Sequence, residues 1–191
     1  MDSPTDADLV ARVRAGDAGA FGELAARHGA RITPYLSSMT GDDAAAEDLC
    51  QEAVRLAFER LDQLGDPRRF GSWLLSIAVN RCRNHLRDAA RRRGVGGDDV
   101  PEPVDVGRRS ALSSVVARES AELLALAVDR LPIALREAFL LFHLEQLDYR
   151  TMAEITGVRE NTLQVRVHRA RSLLRHQLGD VVDTFWSRRD D

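Results

Sequence analysis

The sequence contains no lysine: all 27 cationic residues of the 191-residue chain are arginine. We attribute this bias to a GC-rich coding sequence rather than to a function. It means that any phosphate contact would come from the planar fork of a guanidinium group. Aromatic residues make up only 5% of the chain and hydrophobic residues 44%, so the core must be built from Leu, Val, Ile and Ala. These residues follow a helical spacing rather than the alternation of strands. The fold class is therefore predicted to be all-α.

Cysteines and long apolar runs are equally scarce. The two cysteines, Cys50 and Cys82, match no zinc-binding spacing and no disulfide framework. We expect both to be reduced and semi-buried, as in a cytoplasmic protein. No apolar run approaches the length of a membrane span, and the acidic N-terminus, MDSPTDADLV, lacks the basic and apolar parts of a signal peptide. We therefore predict a cytoplasmic protein without membrane insertion.

Signatures of catalysis are absent as well. No serine lies in a nucleophile elbow, no glycine-rich loop has phosphate-binding spacing, and the five histidines form no ligand set. Carboxylates are abundant, but no arrangement of them is specific enough for an acid–base pair. We predict no enzymatic activity, no metal site and no cofactor.

The first part of the chain is expected to form a series of helices. Asp6 or Asp8 is predicted to cap the first helix, and Asp17 the second. A long third helix is predicted to open at Asp42 and to continue to Leu64. Its outer face is mostly acidic, which usually means a solvated surface and suits the start of a helix. The alternative is that this face binds a basic protein partner.

Residues 66 to 93 are strongly basic. Eight arginines and two aspartates leave this segment with a net charge of +6. Phe70 and Trp73 lie at the start of its helical pattern. Positive charge beside aromatic rings favours a nucleic-acid surface. The alternative is that the two rings belong to the core, and we expect at least one of them to do so.

A break in periodicity divides the chain. Residues 94 to 107 contain four glycines, two prolines and four acids without one arginine, a composition typical of a flexible linker. We therefore predict two small helical domains joined by a flexible acidic linker. The predicted boundaries are 1–94 and 119–180 for the domains, 95–118 for the linker and 181–191 for a short tail.

The second domain contains two amphipathic runs within residues 149 to 178, separated by a turn at Gly157. The second run has Leu163, Val167 and Leu174 on one side and polar or basic residues on the other. Two short helices, a tight turn and a polar second helix are typical of a helix-turn-helix that enters the DNA major groove. The alternative is an ordinary helical hairpin. We favour the DNA-binding interpretation.

Four segments, in this order, resemble the sigma factors of bacterial RNA polymerase, specifically the extracytoplasmic-function (ECF) group of the sigma-70 family. DLVARVRAGDAGAFGELAARH is similar to the opening segment of that family, and AEDLCQEAVRLAF to its polymerase-binding helix. FGSWLLSIAVNRCRNHLRDAARR is similar to the promoter-melting region. LPIALREAFLLFHLEQLDYRTMAEITGVRENTLQVRVHRARSLL is similar to the closing domain. Together the segments span roughly residues 6 to 93 and 119 to 178.

The resemblance implies two contacts with promoter DNA. The helix-turn-helix would bind the minus-thirty-five element as duplex, with the N-terminal residues of its second helix reaching base edges. The residues assigned to bases are Arg159, Glu160, Asn161, Gln164 and His168, and those assigned to phosphates are Arg166, Arg169 and Arg171. The basic segment would bind the minus-ten element and hold its non-template strand open. The residues assigned there are Arg68, Trp73, Asn80, Arg83, Asn84 and Arg87. Arg159 stands at the expected N-cap of the second helix, where the family usually has Ser or Thr.

The resemblance also implies protein partners. The acidic helix would dock on the clamp helices of the largest subunit of core RNA polymerase. The residues assigned to this contact are Glu47, Asp48, Gln51, Glu52 and Phe58. The acidic linker resembles the connector that runs through the RNA path of the polymerase, and an anti-sigma factor is an expected regulator.

Two alternative functions remain. A stand-alone helix-turn-helix regulator would leave the acidic helix and the basic segment without a role. A sigma mimic that sequesters an anti-sigma factor would need neither a basic melting segment nor a polar recognition helix, and both are present in the sequence. An enzyme is a distant third alternative.

Overall fold

The computed structural model describes residues 3–94 and 115–179, with side chains from residue 122 onward in the second range. The predicted tail at 181–191 and most of the predicted linker at 95–118 lie outside the described residues. Within the two described ranges all regular structure is helical, so the predicted all-α class is confirmed.

Within the two described ranges, eight α-helices form two units. The N-terminal unit contains α1 (Asp6–Arg14), α2 (Ala18–Thr40), α3 (Asp43–Glu59) and α4 (Phe70–Arg92). The C-terminal unit contains α5 (Val115–Asp129), α6 (Ile133–His143), α7 (Tyr149–Thr156) and α8 (Glu160–Leu178). Helix α5 thus begins ahead of residue 119, where the second domain was expected to start.

The cap of α1 differs from the prediction. Thr5 is the N-cap: its hydroxyl accepts from the Asp8 N–H (3.2 Å), and the Asp8 carboxylate accepts from the Thr5 N–H (3.0 Å). This reciprocal pair is a capping box, in which Asp8 occupies the third helical position. Asp6 or Asp8 as the cap was therefore wrong. Asp17 caps α2 as predicted, accepting from the Ala20 N–H at 3.3 Å.

The acidic helix is shorter than predicted. Asp42 is its N-cap and accepts from the N–H groups of the next turn, but α3 ends at Glu59 and the chain continues as a 3-10 turn, Leu61–Gln63. The Arg14 guanidinium donates to the carbonyls of Leu61 (3.0 Å) and Leu64 (2.7 Å). These long-range bonds hold the loop before α4, and local periodicity in the sequence contains no sign of them.

The core of the N-terminal unit forms where α2, α3 and α4 pack together. Tyr35, Phe70 and Leu74 are fully buried within it, so the expectation that one aromatic of the basic segment belongs to the core is confirmed by Phe70. Both cysteines are buried and unpaired, deeper than the semi-buried position expected. Burial raises the pKa of the Cys82 thiol to about 12.

The C-terminal unit packs α6, α7 and α8 around a second set of buried side chains. Leu141, Met152, Leu163 and Leu174 have no exposed surface. Leu144 is exposed, because α6 has already ended at His143.

The two units also pack against each other. Helix α6 lies against α2, and α7 lies against α4. As a result, the helix-turn-helix contacts the basic helix of the other unit through its first helix.

Candidate nucleic-acid interface

The predicted helix-turn-helix is present, with a defined start and end for each helix. Asp148 caps α7 by accepting from the Thr151 N–H at 2.7 Å. Gly157 ends α7 at φ 69°, a left-handed conformation that glycine adopts without a steric penalty. Arg159 is the N-cap of α8 and provides no side-chain hydrogen bond to it. The recognition helix therefore starts at the expected position without the usual side-chain cap.

Helix α8 separates a buried face from a polar one. Leu163, Val167, Ala170 and Leu174 form the buried stripe. Four residues assigned to base contacts lie within an arc of about 100° beside this stripe, as 3.6 residues per turn requires. They are exposed, as is Arg159 just before the helix. The four are Glu160, Asn161, Gln164 and His168. The helix thus presents these side chains together on one open face.

The arginines assigned to phosphates are distributed around α8. Arg169 is exposed on the side opposite the buried stripe, whereas Arg166 is half-buried at the other edge of that stripe. Arg171 lies on the same arc as the base-contact residues, but its guanidinium carbon is 5.5 Å from the centre of the Phe142 ring. Its Nε donates to the His143 Nε2 at 3.1 Å. Arg171 therefore ties α8 to α6 in this structure.

The residues assigned to the minus-ten element also share one helix face. Successive positions along α4 place five of them and Ser76 within an arc of about 100°. Three of the residues (Asn80, Asn84 and Arg87) are exposed. Arg68 lies just before α4 and is exposed too, with its guanidinium paired to Asp66 at 2.9 Å. This pairing lowers the pKa of the Asp66 carboxyl.

Arg83 is different, because it faces the other unit. Its Nε and one terminal nitrogen donate to the two carboxylate oxygens of Glu137 at 2.7 and 2.6 Å. Its remaining terminal nitrogen donates to the Thr156 carbonyl at 2.8 Å. Glu137 is only 4% exposed. Arg83 thus uses all three of its nitrogens to hold α6 and the end of α7 against α4.

A cleft of about 320 Å³ lies next to this contact. Trp73 and Ser76 of α4 line one side of it, and Glu154 and Ile155 of α7 line the other. Glu154 forms an ion pair across the cleft with Arg69, which lowers the pKa of the Glu154 carboxyl. Trp73 is half-buried at this position.

Two more polar contacts join the units. Glu145, 2% exposed, accepts from Arg31, which also donates to the Glu145 carbonyl at 2.7 Å. Arg136 lies 3.4 Å from the carbonyls of Ser38 and Met39. None of these residues was predicted from the sequence to join the two units. A signal was available: Arg136 and Glu137 stand together inside the apolar run of α6, where unpaired charges would be costly.

The acidic face of α3 is largely open. Glu47, Asp48 and Gln51 are exposed, while Glu52 is half-buried and pairs with Arg81 of α4. Phe58 is 50% exposed, and its ring packs edge-on against Phe21 with the centroids 4.9 Å apart. Acids with an exposed aromatic ring at one end form a surface suited to a protein partner.

No group of three His, Cys, Asp or Glu side chains in the described ranges is arranged to hold a metal ion. None of the described helices combines the length and apolarity needed to cross a membrane.

Family models match both units. The sigma-70 region 2 model matches residues 24–92, and the sigma-70 region 4 model matches residues 121–174. The ECF RNA polymerase sigma-E factor of Escherichia coli (strain K12) is 29% identical in an alignment of 187 positions, which covers 93% of this chain and 96% of that protein. The ECF RNA polymerase sigma factor SigW of Bacillus subtilis (strain 168) is 26% identical over 90% of this chain and 96% of its own length. A probable RNA polymerase sigma factor, RfaY of Xanthomonas campestris pv. campestris, is 31% identical, but the chain spans only 43% of it.

Solved structures share the arrangement of helices. The sigma factor RpoE of Bartonella quintana, determined in complex with the anti-sigma factor NepR, has a TM-score of 0.65 at 22% identity, over 84% of this chain and 97% of that one. At this identity the likeness concerns the fold alone. CnrH, determined in complex with the cytosolic domain of CnrY, has a TM-score of 0.64 at 26% identity, over 91% and 96% of the two chains. With regions 2 and 4 matched in order, and relatives in the ECF group aligned over nearly their whole lengths, this chain belongs to the ECF group of the sigma-70 family of RNA polymerase sigma factors.

Proposed function

We propose that this protein binds core RNA polymerase and directs it to begin transcription at a specific class of promoters. The observation that carries this proposal is the presence, in one chain with both sigma regions, of a polar recognition helix and a basic melting helix. The protein would contribute binding and positioning, while the polymerase performs the chemistry, and it would act in the cytoplasm with the polymerase.

Helix α8 would select the promoter. Its exposed residues at positions 159, 160, 161, 164 and 168 would contact base edges in the major groove of the minus-thirty-five element. Arg166, Arg169 and Arg171 would contact phosphates. Arg171 would contact a phosphate either from its present position over the Phe142 ring or after leaving that ring. The remaining two would add affinity without base selectivity.

Helix α4 would hold the opened minus-ten strand. Asn80, Asn84 and Arg87 lie along an exposed stripe that a single strand could follow, and Arg68 extends its charge at one end. Trp73 would offer a ring on which a base can stack. Arg83 would add a phosphate contact once its bonds to Glu137 are released.

Helix α3 would dock on the polymerase. We assign the clamp helices of the largest subunit as its partner, with Glu47, Asp48, Gln51 and Phe58 as the contact surface. Glu52 would contribute while it remains paired to Arg81. Because RpoE of Bartonella quintana was solved with the anti-sigma factor NepR, we also infer an anti-sigma factor as the regulator of this chain.

Reconstituted transcription tests the proposal. Purified protein and core RNA polymerase would be incubated with a library of genomic promoter fragments, and the transcript starts sequenced. We expect starts clustered downstream of a shared pair of elements. The matched control carries Gln164→Ala together with Asn161→Ala and should lose this selectivity. Transcripts no different from those of core enzyme alone would refute the function.

The two alternatives give different results in the same experiment. A stand-alone regulator would bind duplex DNA specifically but would not change the transcripts made by core enzyme. A sigma mimic would not bind duplex DNA specifically and would not change the transcripts. It would bind only an anti-sigma protein.

A further inference from the structure

The contact between the two units covers part of the surface on α4 that would bind single-stranded DNA. Arg83 lies on the same arc of α4 as Asn80, Asn84 and Arg87, yet its three nitrogens are all bonded to the C-terminal unit. A bidentate carboxylate presents two oxygens to a guanidinium in the geometry of a phosphate. Glu137 therefore occupies the position on Arg83 that a DNA phosphate would take.

A second carboxylate of the C-terminal unit pairs with another arginine about four helical turns away on the same side. Glu154 of α7 is paired with Arg69, immediately before α4, and the cleft between them is lined by Trp73 and Ser76. Trp73 and Ser76 lie on the same arc of α4 as Arg83. Two acids of the C-terminal unit thus hold two arginines of the N-terminal unit, with an aromatic ring between them.

We propose that Glu137 and Glu154 act as internal substitutes for DNA phosphates, so that the free protein binds the minus-ten strand only weakly until its two units separate. This inference rests on the proposed role of α4 in strand binding. It assigns an autoinhibitory function to the two glutamates, which the comparisons with other sigma factors do not provide.

The charges and burial at the interface explain why DNA alone would not displace these acids. Glu137 is 4% exposed, and removing its partner would leave a buried carboxylate without a counter-ion, which is strongly unfavourable. The contacts of Arg31 with Glu145 and of Arg136 with the end of α2 hold the same interface. A phosphate that approaches Arg83 must therefore open several contacts together.

Neutral, isosteric variants test the inference. The probe is a fluorescein-labelled 12-nucleotide single-stranded DNA of mixed sequence, and its anisotropy is measured with the full-length protein in the absence of polymerase. We expect the double variant Glu137→Gln, Glu154→Gln to bind about tenfold more tightly than the wild type, because apparent affinity rises with the fraction of open protein. Glu154→Gln alone, at a partly exposed position, should give a smaller gain.

A charge-matched control removes two acids whose ion pairs do not join the two units. Glu23 pairs with Arg27 and Glu59 with Arg55, each within one helix. Glu23→Gln, Glu59→Gln changes the net charge by the same amount, so it should bind the probe as the wild type does. An equal gain in this control would overturn the inference, since the effect would then be general electrostatics.

Trp73 provides an independent measure of opening. The protein has two tryptophans, so Trp186→Phe leaves Trp73 as the single fluorophore. In this background we expect the double variant to shift the emission of Trp73 to longer wavelength as the cleft opens to water. A shift without tighter DNA binding would overturn the inference, because the interface would then open without having blocked the strand.

Folding and function are controlled separately. Circular dichroism identifies any variant that fails to fold. If Glu137→Gln fails to fold, Glu154→Gln alone tests the autoinhibition. Unchanged probe binding by that folded variant would contradict the inference. Promoter-dependent transcription with core enzyme tests the proposed function, whereas the DNA probe tests autoinhibition, so either can fail while the other stands.

Discussion

The two surfaces that we propose to bind DNA differ in how open they are. On α8 the side chains that would reach bases are exposed, and the neighbouring unit leaves them uncovered. On α4 the corresponding stripe is exposed at Asn80, Asn84 and Arg87 but covered at Arg83 and partly at Trp73. In the proposed roles, duplex recognition by α8 would need no rearrangement of the two units, whereas full strand binding by α4 would. Promoter recognition and promoter opening would then depend on separate parts of the structure.

The largest effect is expected from a substitution that damages α8 alone. Leu163 is fully buried at the start of α8, and Leu163→Ala should cost about 3 kcal/mol of stability through lost burial and the cavity left behind. Urea unfolding would measure the loss, and binding of duplex promoter DNA should fall with it.

The matched control is Leu173→Ala on the same helix. Leu173 is an exposed residue, so its truncation should change the free energy of unfolding by less than about 0.5 kcal/mol. Equal effects of the two substitutions would mean that α8 is oriented differently from the arrangement described above.

The start of α4 can be tested through a glycine. A Cβ on Gly71 would lie 2.7 Å from the ring of His28, whose Nε2 is 2.7 Å from an Asp6 carboxylate oxygen. Gly71→Ala should therefore displace the ring or the first turn of α4, at a cost of about 2 kcal/mol. Since this turn carries Trp73, binding of the single-stranded probe should also change, while duplex binding should not.

Two variants make this test specific. His28→Ala combined with Gly71→Ala should recover most of the loss caused by the glycine substitution, because the clash is removed. Gly22→Ala, at a helical position with no atom within 4 Å of the added Cβ, should stabilise the protein by about 0.5 kcal/mol. Additive losses in the double variant would exclude the proposed clash.

How far the sequence predicts these features depends on the range of the interactions. Local signals placed the turn at Gly157, the cap at Asp17 and the polar face of α8 correctly, since each depends on residues within one or two turns. The end of α3 was missed because Arg14 holds that loop from 47 residues away. The pairing of Arg83 with Glu137 was missed for the same reason. A basic helix predicts a nucleic-acid surface, but periodicity does not show which of its arginines another unit already binds.

Two substitutions on the open surface of α8 separate the residues that would add affinity from those that would select the DNA sequence. Arg169→Ala should weaken duplex binding about equally for all sequences and reduce the salt slope by about 1, as expected for one lost phosphate contact. Gln164→Ala should instead change the preferred base at one position, by about 1 kcal/mol. Binding to a duplex library at two salt concentrations measures both. If both substitutions changed only stability, the assigned orientation of α8 would be wrong.

The smallest expected effect concerns Glu145 and pH. Burial raises the pKa of the Glu145 carboxyl above its usual value, although Arg31 opposes this shift. A carboxyl with a raised pKa in the folded protein binds its proton more tightly there than in the unfolded chain. The folded state therefore becomes more stable as pH falls from neutrality toward the ordinary range of glutamate. Glu145→Gln should remove this dependence and should be as stable as the wild type at pH 7, or slightly more stable. Because Arg31 is 56% exposed and partly screened, we expect a difference below about 1 kcal/mol. Urea unfolding of both proteins between pH 5 and pH 7 measures this difference in the free energy of unfolding. We expect the free energies of the two proteins to converge at the acidic end of this range. A wild type that loses stability relative to Glu145→Gln as pH falls would show that the ion pair, rather than burial, dominates at this position.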